Sequence, residues 1–255
     1  MKRLIVNADD FGRTPGVNSG ILEAHAAGLV TSATVMVLEP SAARGIREAA
    51  ERAPRLSLGV HFTLTGAGPP AAAARNLPTL APGGRFVRRV EDLTHGIPEA
   101  EVRAELEAQI DVFQVLARRL PSHLDSHHHC ARHPDVGPVF AAVARERSLP
   151  VRAADDASRR ALREAGVRTP DRFFDAFYGP EASLATLERI LTMLPEGVSE
   201  LMCHPARVDD ALRRGSSYAE ERDAEREVLG DPRLLALVRS LGIELIGFDR
   251  LGRGR

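Results

Sequence analysis

Only two cysteines, Cys130 and Cys203, occur in the 255 residues, too few for a disulfide framework. Next to histidines as they are, both read first as small buried hydrophobes. Aromatic residues make up only 4% of the chain. No apolar run approaches the roughly 20 residues of a membrane span. Neither sign of charge is in excess, with 34 basic and 35 acidic residues giving a formal net charge of -1. A nucleic-acid or anionic-membrane binder should carry a basic surplus, so neither partner is expected. Arginine greatly outnumbers lysine, which is a compositional bias rather than a signal. No internal repeat of roughly 20 to 50 residues is visible. Acidic residues begin at Asp9, too early for a signal peptide, so the expectation is a cytoplasmic protein. What is present is ordinary globular composition, 44% hydrophobic and 27% charged, enough for one sizeable core in a single domain spanning 1–255.

Against that background residues 122–129, SHLDSHHH, stand out. In an extended strand His123, Asp125 and His127 share one face, and Leu124, Ser126 and His128 the other. Neutral imidazoles at the end of a strand are a source of metal ligands. Three other segments end in similar chemistry. The apolar run 3–7 stops at Ala8-Asp9-Asp10-Phe11-Gly12. Two adjacent carboxylates past a buried strand are costly unless something cationic compensates them. Neighbours on a regular strand point apart, so Asp9 and Asp10 can cooperate only if the chain turns here, which Gly12 permits. In residues 56–64 Leu56, Leu58, Val60 and Phe62 alternate with Ser57, Gly59, His61 and Thr63, placing His61 on a face of small residues with room above it. Residues 199–204 deliver His204 to a strand end, where Pro205 forbids a helix.

Helices are expected over residues 19–28, 41–53, 99–120, 134–149, 184–194 and 228–241, and strands over 3–7, 32–38, 56–64, about 127, 150–153, 199–205 and 243–248. Residues 65–98 dissolve into Gly-, Pro- and Ala-rich sequence, which in a compact domain marks a lid or binding loop. Residues 158–178 resist assignment. They gather Phe173, Phe174, Phe177 and Tyr178, either a sugar-stacking wall or a core patch. Strand and helix alternate seven or eight times, which points to a parallel α/β architecture, and the length suits a (β/α) barrel. Asp9, Asp10, His61, His127 and His204 all fall at strand C-termini, where such barrels carry their sites.

Two histidines and a carboxylate are a recurring metal set with positions left open, and Asp10, His61 and His127 supply it. Asp9 then has a separate task as general base on the attacking water, and His204 is available as the acid that protonates an expelled amine. Such an arrangement hydrolyses an amide, for example an N-acetyl group. A metal-dependent phosphoesterase on the same barrel and a non-catalytic sugar-binding protein are the alternatives.

The motifs IVNADDFG (5–12), LGVHFTL (58–64) and HLDSHHH (123–129), in that order, resemble those of the YdjC-like carbohydrate deacetylase family, which includes chitooligosaccharide deacetylases and proteins associated with hopanoid biosynthesis. The resemblance spans nearly the whole chain. It implies a distorted TIM-like (β/α) barrel of one domain that binds a divalent metal, usually magnesium, and deacetylates N-acetylated sugars. It also implies Asp10, His61 and His127 as ligands, Asp9 as base and His204 as acid. Two imidazoles and one carboxylate favour zinc or another transition metal, whereas magnesium prefers oxygen ligands. Asp125 would receive the ring N–H of His127 or contact substrate, and His128 and Arg152 would support the same region. The family carries another histidine two residues after the triple; this chain has Cys130-Ala131-Arg132-His133 instead, a change at the rim. The partner expected is a small acetylated sugar, and a homodimer is the commonest outcome should the protein associate.

Overall fold

The computed structural model describes residues 1–66 and 68–252. In chain order the elements are β1 (Lys2–Phe11), α1 (Pro15–Ala26), β2 (Ser32–Val35), α2 (Ala42–Arg52), β3 (Ser57–Phe62), α3 (Glu99–Ala117), β4 (Leu124–Ser126) and α4 (Gly137–Glu146). They continue with α5 (Asp156–Glu164), β5 (Arg172–Phe174), α6 (Leu184–Met193), β6 (Gly197–Cys203), α7 (Asp210–Gly215), α8 (Glu220–Leu229), α9 (Pro232–Ser240) and β7 (Glu244–Leu245). Every strand pairing detailed among the described residues is parallel, so the chain is an α/β protein, as the alternation required. No described helix is long and apolar enough to cross a membrane.

Contacts gather the chain into two compact units: Met1–Val35, Glu39–Leu58 and Pro170–Arg255 form the first, Met36–Leu38 and Gly59–Thr169 the second. In the first, β1 pairs with β2 and β6, β6 with β5, and β7 with β1. Leu4, Ile5, Val6 and Ala8 are completely buried. That is the unbroken apolar run expected of a strand covered on both faces, and each large side chain contributes about 1.5–3 kcal/mol. The strand does not stop at Asn7. It runs on through both aspartates to Phe11, with a register shift against β2 between Ala8 and Phe11. The turn falls where Gly12 permits it: Gly12 takes φ 95°, and Asp10 is left-handed as well, at φ 67°. The positive φ re-aims the Asp10 side chain, so Asp10 leaves the strict alternation that Asp9 still shares with Asn7.

Helix α1 starts four residues before the apolar pattern suggested. Thr14 caps it by accepting the Val17 N–H at 3.2 Å, and Pro15 occupies the first turn. Helix α8 was partly missed because its sequence, EERDAEREVL, reads as a solvated face. Yet Arg222 and Glu225 within it are buried.

In the second unit β3 pairs with β4, aligning Val60 with Leu124, His61 with Asp125 and Phe62 with Ser126. The strand expected to carry His127 ends at Ser126. His127 opens a 3-10 turn, His127–Arg132, in which His128 and His129 take φ of 52° and 51°. The room beside Gly59 is filled by His123, whose ring atoms would lie 2.6 Å from a Cβ there. His123 is therefore a core histidine.

The segment 65–98 is anchored rather than loose. It forms three short 3-10 turns and buries Leu77, Leu80, Ala81, Phe86, Leu93 and Ile97. Carboxylates of α3 hold its backbone: Glu105 accepts the Ala71 and Ala72 N–H groups at 3.0 and 2.9 Å, and Glu101 accepts those of Thr79 and Leu80, both at 2.9 Å. Glu101→Ala would orphan two N–H donors, at about 1–3 kcal/mol each. The expected result is a lower melting temperature and faster proteolytic cleavage between 71 and 81. Wild-type cleavage kinetics in that variant would mean the carboxylate does not secure the segment.

Candidate active site

In the first unit the parallel register of β1 and β6 pairs Asn7 with Met202 and Ala8 with Cys203, so Asp9 and His204 emerge side by side at the two strand ends. His204 Nε2 stands 3.9 Å from Asp9 Oδ2. Asp9 is oriented from within its own strand: Asn7 Nδ2 donates to Asp9 Oδ1 at 2.9 Å and to Thr34 Oγ1 at 3.2 Å. Asn7 lies two residues before Asp9, on the same strand face, and that spacing was the available signal for it.

Asp10 meets the cations that its burial demanded. Its Oδ2 accepts from Arg222 at 2.6 Å and from Arg13 at 3.3 Å. Behind His204 sits the buried Glu225. Its Oε2 accepts the His204 main-chain N–H at 2.5 Å, its Oε1 accepts the Tyr218 hydroxyl at 2.5 Å, and Oε1 lies 3.9 Å from His204 Nδ1. Burial pushes the Glu225 carboxyl up to about 7, against the opposing pull of these donors and of Arg222. Arg222, Tyr218 and Glu225 had no signal in the sequence, because buried charge breaks the apolar pattern by which elements are read.

Phe177 belongs to the core, whereas Tyr178 is 45% exposed. Tyr178 stacks on Tyr218 with centroids 4.1 Å apart and meets His204 edge-on at 5.5 Å.

In the second unit His61 and Asp125 face each other across the β3–β4 register, with Nδ1 and Oδ1 2.6 Å apart. An ionised carboxylate only accepts, so Nδ1 carries the proton and Nε2 carries the lone pair. A metal-ligating histidine is characteristically held in this way. Arg152 completes the chain from the other side, its Nη1 3.0 Å from Asp125 Oδ2. Asp125 thus takes the N–H of His61; cross-strand register decides this pairing, and a single strand's alternation does not contain it. The His127 ring lies 5.3 Å from that of His61 and 3.8 Å from that of His128. His128 Nδ1 is 3.0 Å from Thr65 Oγ1. Two imidazoles, one of them fixed in tautomer by a carboxylate, fit a divalent metal with nitrogen affinity.

A second cluster in this unit, His95, His133 and Asp135, offers ligand atoms within 4.8 Å of one another. Its groups are already engaged structurally: Asp135 accepts the Gly96 and Ile97 N–H groups at 2.7 and 3.1 Å, and His133 Nδ1 accepts the Asp135 N–H at 3.3 Å. It pins the end of the 65–98 segment. The cysteines flanking the histidines are both buried, and burial pushes the Cys130 thiol up to about 12, so it is no candidate ligand.

The sequence matches the YdjC-like protein family over residues 3–240, and the chain belongs to that family. A carbohydrate deacetylase of Geobacillus stearothermophilus is 41% identical over 246 residues, covering 96% of each protein. Among solved structures, one of an Enterococcus faecalis protein superposes with a TM-score of 0.91 at 35% identity, covering 97% of this chain and 98% of that one. The fold extends to a family 4 acetyl xylan esterase of Clostridium thermocellum, solved with a cobalt ion, at a TM-score of 0.52 and 12% identity over 96% of this chain and 88% of that one. The parallel α/β fold expected from strand order is therefore the fold of this family.

Proposed function

We propose that the chain is a metal-dependent carbohydrate deacetylase that hydrolyses the N-acetyl group of an acetylated sugar, chitooligosaccharide-like or glycolipid-linked. The observation that carries this reading is the pairing of a buried carboxylate with a histidine at adjacent strand ends, Asp9 Oδ2 and His204 Nε2 at 3.9 Å. Amide hydrolysis needs both a proton acceptor for the attacking water and a proton donor for the leaving amine, and these two groups are that pair. The Geobacillus relative, named a carbohydrate deacetylase, supports the same reading.

Asp10, His61 and His127 would hold one divalent ion, with Asp125 and Arg152 fixing His61 and with Arg222 and Arg13 fixing Asp10. When bound, the ion polarises the acetyl carbonyl and acidifies the attacking water. Asp9, oriented by Asn7, takes the proton of the attacking water. His204 gives its Nε2 proton to the nitrogen as the C–N bond breaks, leaving acetate and a free amino sugar. Tyr178, exposed beside His204, offers a ring face on which a pyranose can stack. The resemblance to the family points to magnesium, while the donor set suits zinc or cobalt better.

The test is acetate release from a panel of N-acetylglucosamine, chitooligosaccharides and an N-acetylglucosaminyl lipid, using metal-stripped protein and protein reloaded with Mg2+, Zn2+ or Co2+. Acetate and free amine should appear in equal amounts, and only with an ion present. Phosphate release from a sugar phosphate, with no acetate from any member of the panel, would replace this reading by a phosphoesterase.

A further inference from the structure

We propose that Glu225, clamped by Tyr218, is the positioning residue for His204 and fixes which ring nitrogen of that histidine delivers its proton. This rests on the deacetylase reading and adds to it a residue from α8 that touches no reacting atom. Glu225 is completely buried, which a carboxylate tolerates only where its oxygens are engaged. Both are. Oε2 accepts the His204 main-chain N–H at 2.5 Å and Oε1 accepts the Tyr218 hydroxyl at 2.5 Å. Tyr218 is in turn fixed by accepting the Gly179 N–H at 2.9 Å, by stacking against Tyr178 and by an edge contact to His204 at 5.8 Å. The carboxylate is therefore held rigidly by groups on three separate segments.

A purely architectural tie would end at the main chain. Here Oε1 also faces the ring, 3.9 Å from Nδ1, while Nε2 on the far side stands 3.9 Å from Asp9 Oδ2. The imidazole thus lies between two carboxylates, one on the reacting side and one behind it. A shift of about 1 Å closes the rear pair to a hydrogen bond, the kind of tightening that catalytic pairs undergo when substrate binds. With Nδ1–H directed at Glu225, the proton on Nε2 is the mobile one. In the productive step the C–N bond breaks, the amine nitrogen takes the Nε2 proton, and neutral His204 is left with its proton on Nδ1 facing Glu225. The proton taken from water by Asp9 later restores the imidazolium, so no external donor is required. The charged and titratable groups facing Glu225 are Arg222 on its own helix, Tyr218, His204 and, beyond the ring, Asp9.

The experiment compares two substrate classes in wild type, Glu225→Gln and Tyr218→Phe, each loaded with metal. An N-acetyl sugar expels a basic amine and needs the acid; 4-nitrophenyl acetate expels a stable phenolate and does not. For Glu225→Gln the expected result is a kcat on the amide at least about 10-fold lower, with KM within about twofold and ester turnover within about twofold of wild type. Tyr218→Phe keeps the ring, its stacking and the Glu225 carboxylate itself, a second and independent loosening of the same clamp, and it should show the same pattern to a smaller degree. Equal losses on amide and ester, or no loss on the amide, would overturn the positioning role. A wild-type protein that releases acetate from no N-acetyl sugar would overturn the deacetylase reading itself, an outcome distinct from either of those.

Discussion

Asp9→Asn should keep its ion and lose its turnover. Asparagine has the shape of aspartate and its Oδ1 can still accept the Asn7 amide, so the strand end is undisturbed. What disappears is the ability to take a proton from the attacking water, and general-base catalysis of this kind contributes about 10²–10⁴-fold. Expected is a fall in kcat of that size, with divalent-ion binding by calorimetry unchanged and KM little altered. The division of labour between the adjacent aspartates is what this variant tests. Asp10 is turned out of the strand alternation by its positive φ and is compensated by Arg222 and Arg13, whereas Asp9 is the one that stands by His204. Loss of the ion in Asp9→Asn would exchange the two roles.

The second large effect is expected at Asp125. Its two oxygens join His61 Nδ1 at 2.6 Å and Arg152 Nη1 at 3.0 Å, and all three side chains are buried. Asp125→Ala leaves the Arg152 guanidinium buried without its counter-charge, a change that costs about 3–5 kcal/mol. It also removes the acceptor that fixes the His61 tautomer, which typically weakens metal affinity by about 10–100-fold. Thermal unfolding and ion titration of the same sample separate the two losses. Asp125→Asn retains the volume and one acceptor and should fall between wild type and the alanine variant on both measures. A melting temperature and an ion affinity both equal to wild type in Asp125→Ala would remove Asp125 from the support of His61.

Much of this was legible in the residues. The apolar runs that become β1, β3 and β6 are bounded by polar groups at their C-termini, so Asp9, Asp10, His61 and His204 could be assigned to strand ends before any fold was known. His127 was harder, since the strand leading to it is only three residues long and the histidine itself begins a turn. What the pattern could not carry was lateral. Strand alternation tells which side chains share a face, not which strand lies beside which, and so the pairing of Asp125 with His61 across β3 and β4 has no signal in it. Buried charge was equally opaque: Arg222 and Glu225 lie on a helix whose composition reads as solvent-facing, and their burial exists only because Asp10, Tyr218 and His204 satisfy them. The segment 65–98 illustrates the same limit: its Gly- and Pro-rich sequence reads as a lid or binding loop, and the hold of Glu101 and Glu105 on its backbone, from positions distant in sequence, leaves no local signal.

The most direct measurement is titration of metal-stripped protein with Co2+, followed by its visible absorption. Wild type and Asp9→Asn should each take up one tightly held ion per chain, with the spectrum of a nitrogen- and oxygen-ligated centre. Asp10→Ala, His61→Ala and His127→Ala should each lose that spectrum at the same cobalt concentration. Undiminished uptake with an unaltered spectrum in all three alanine variants would contradict a shared cation at these residues.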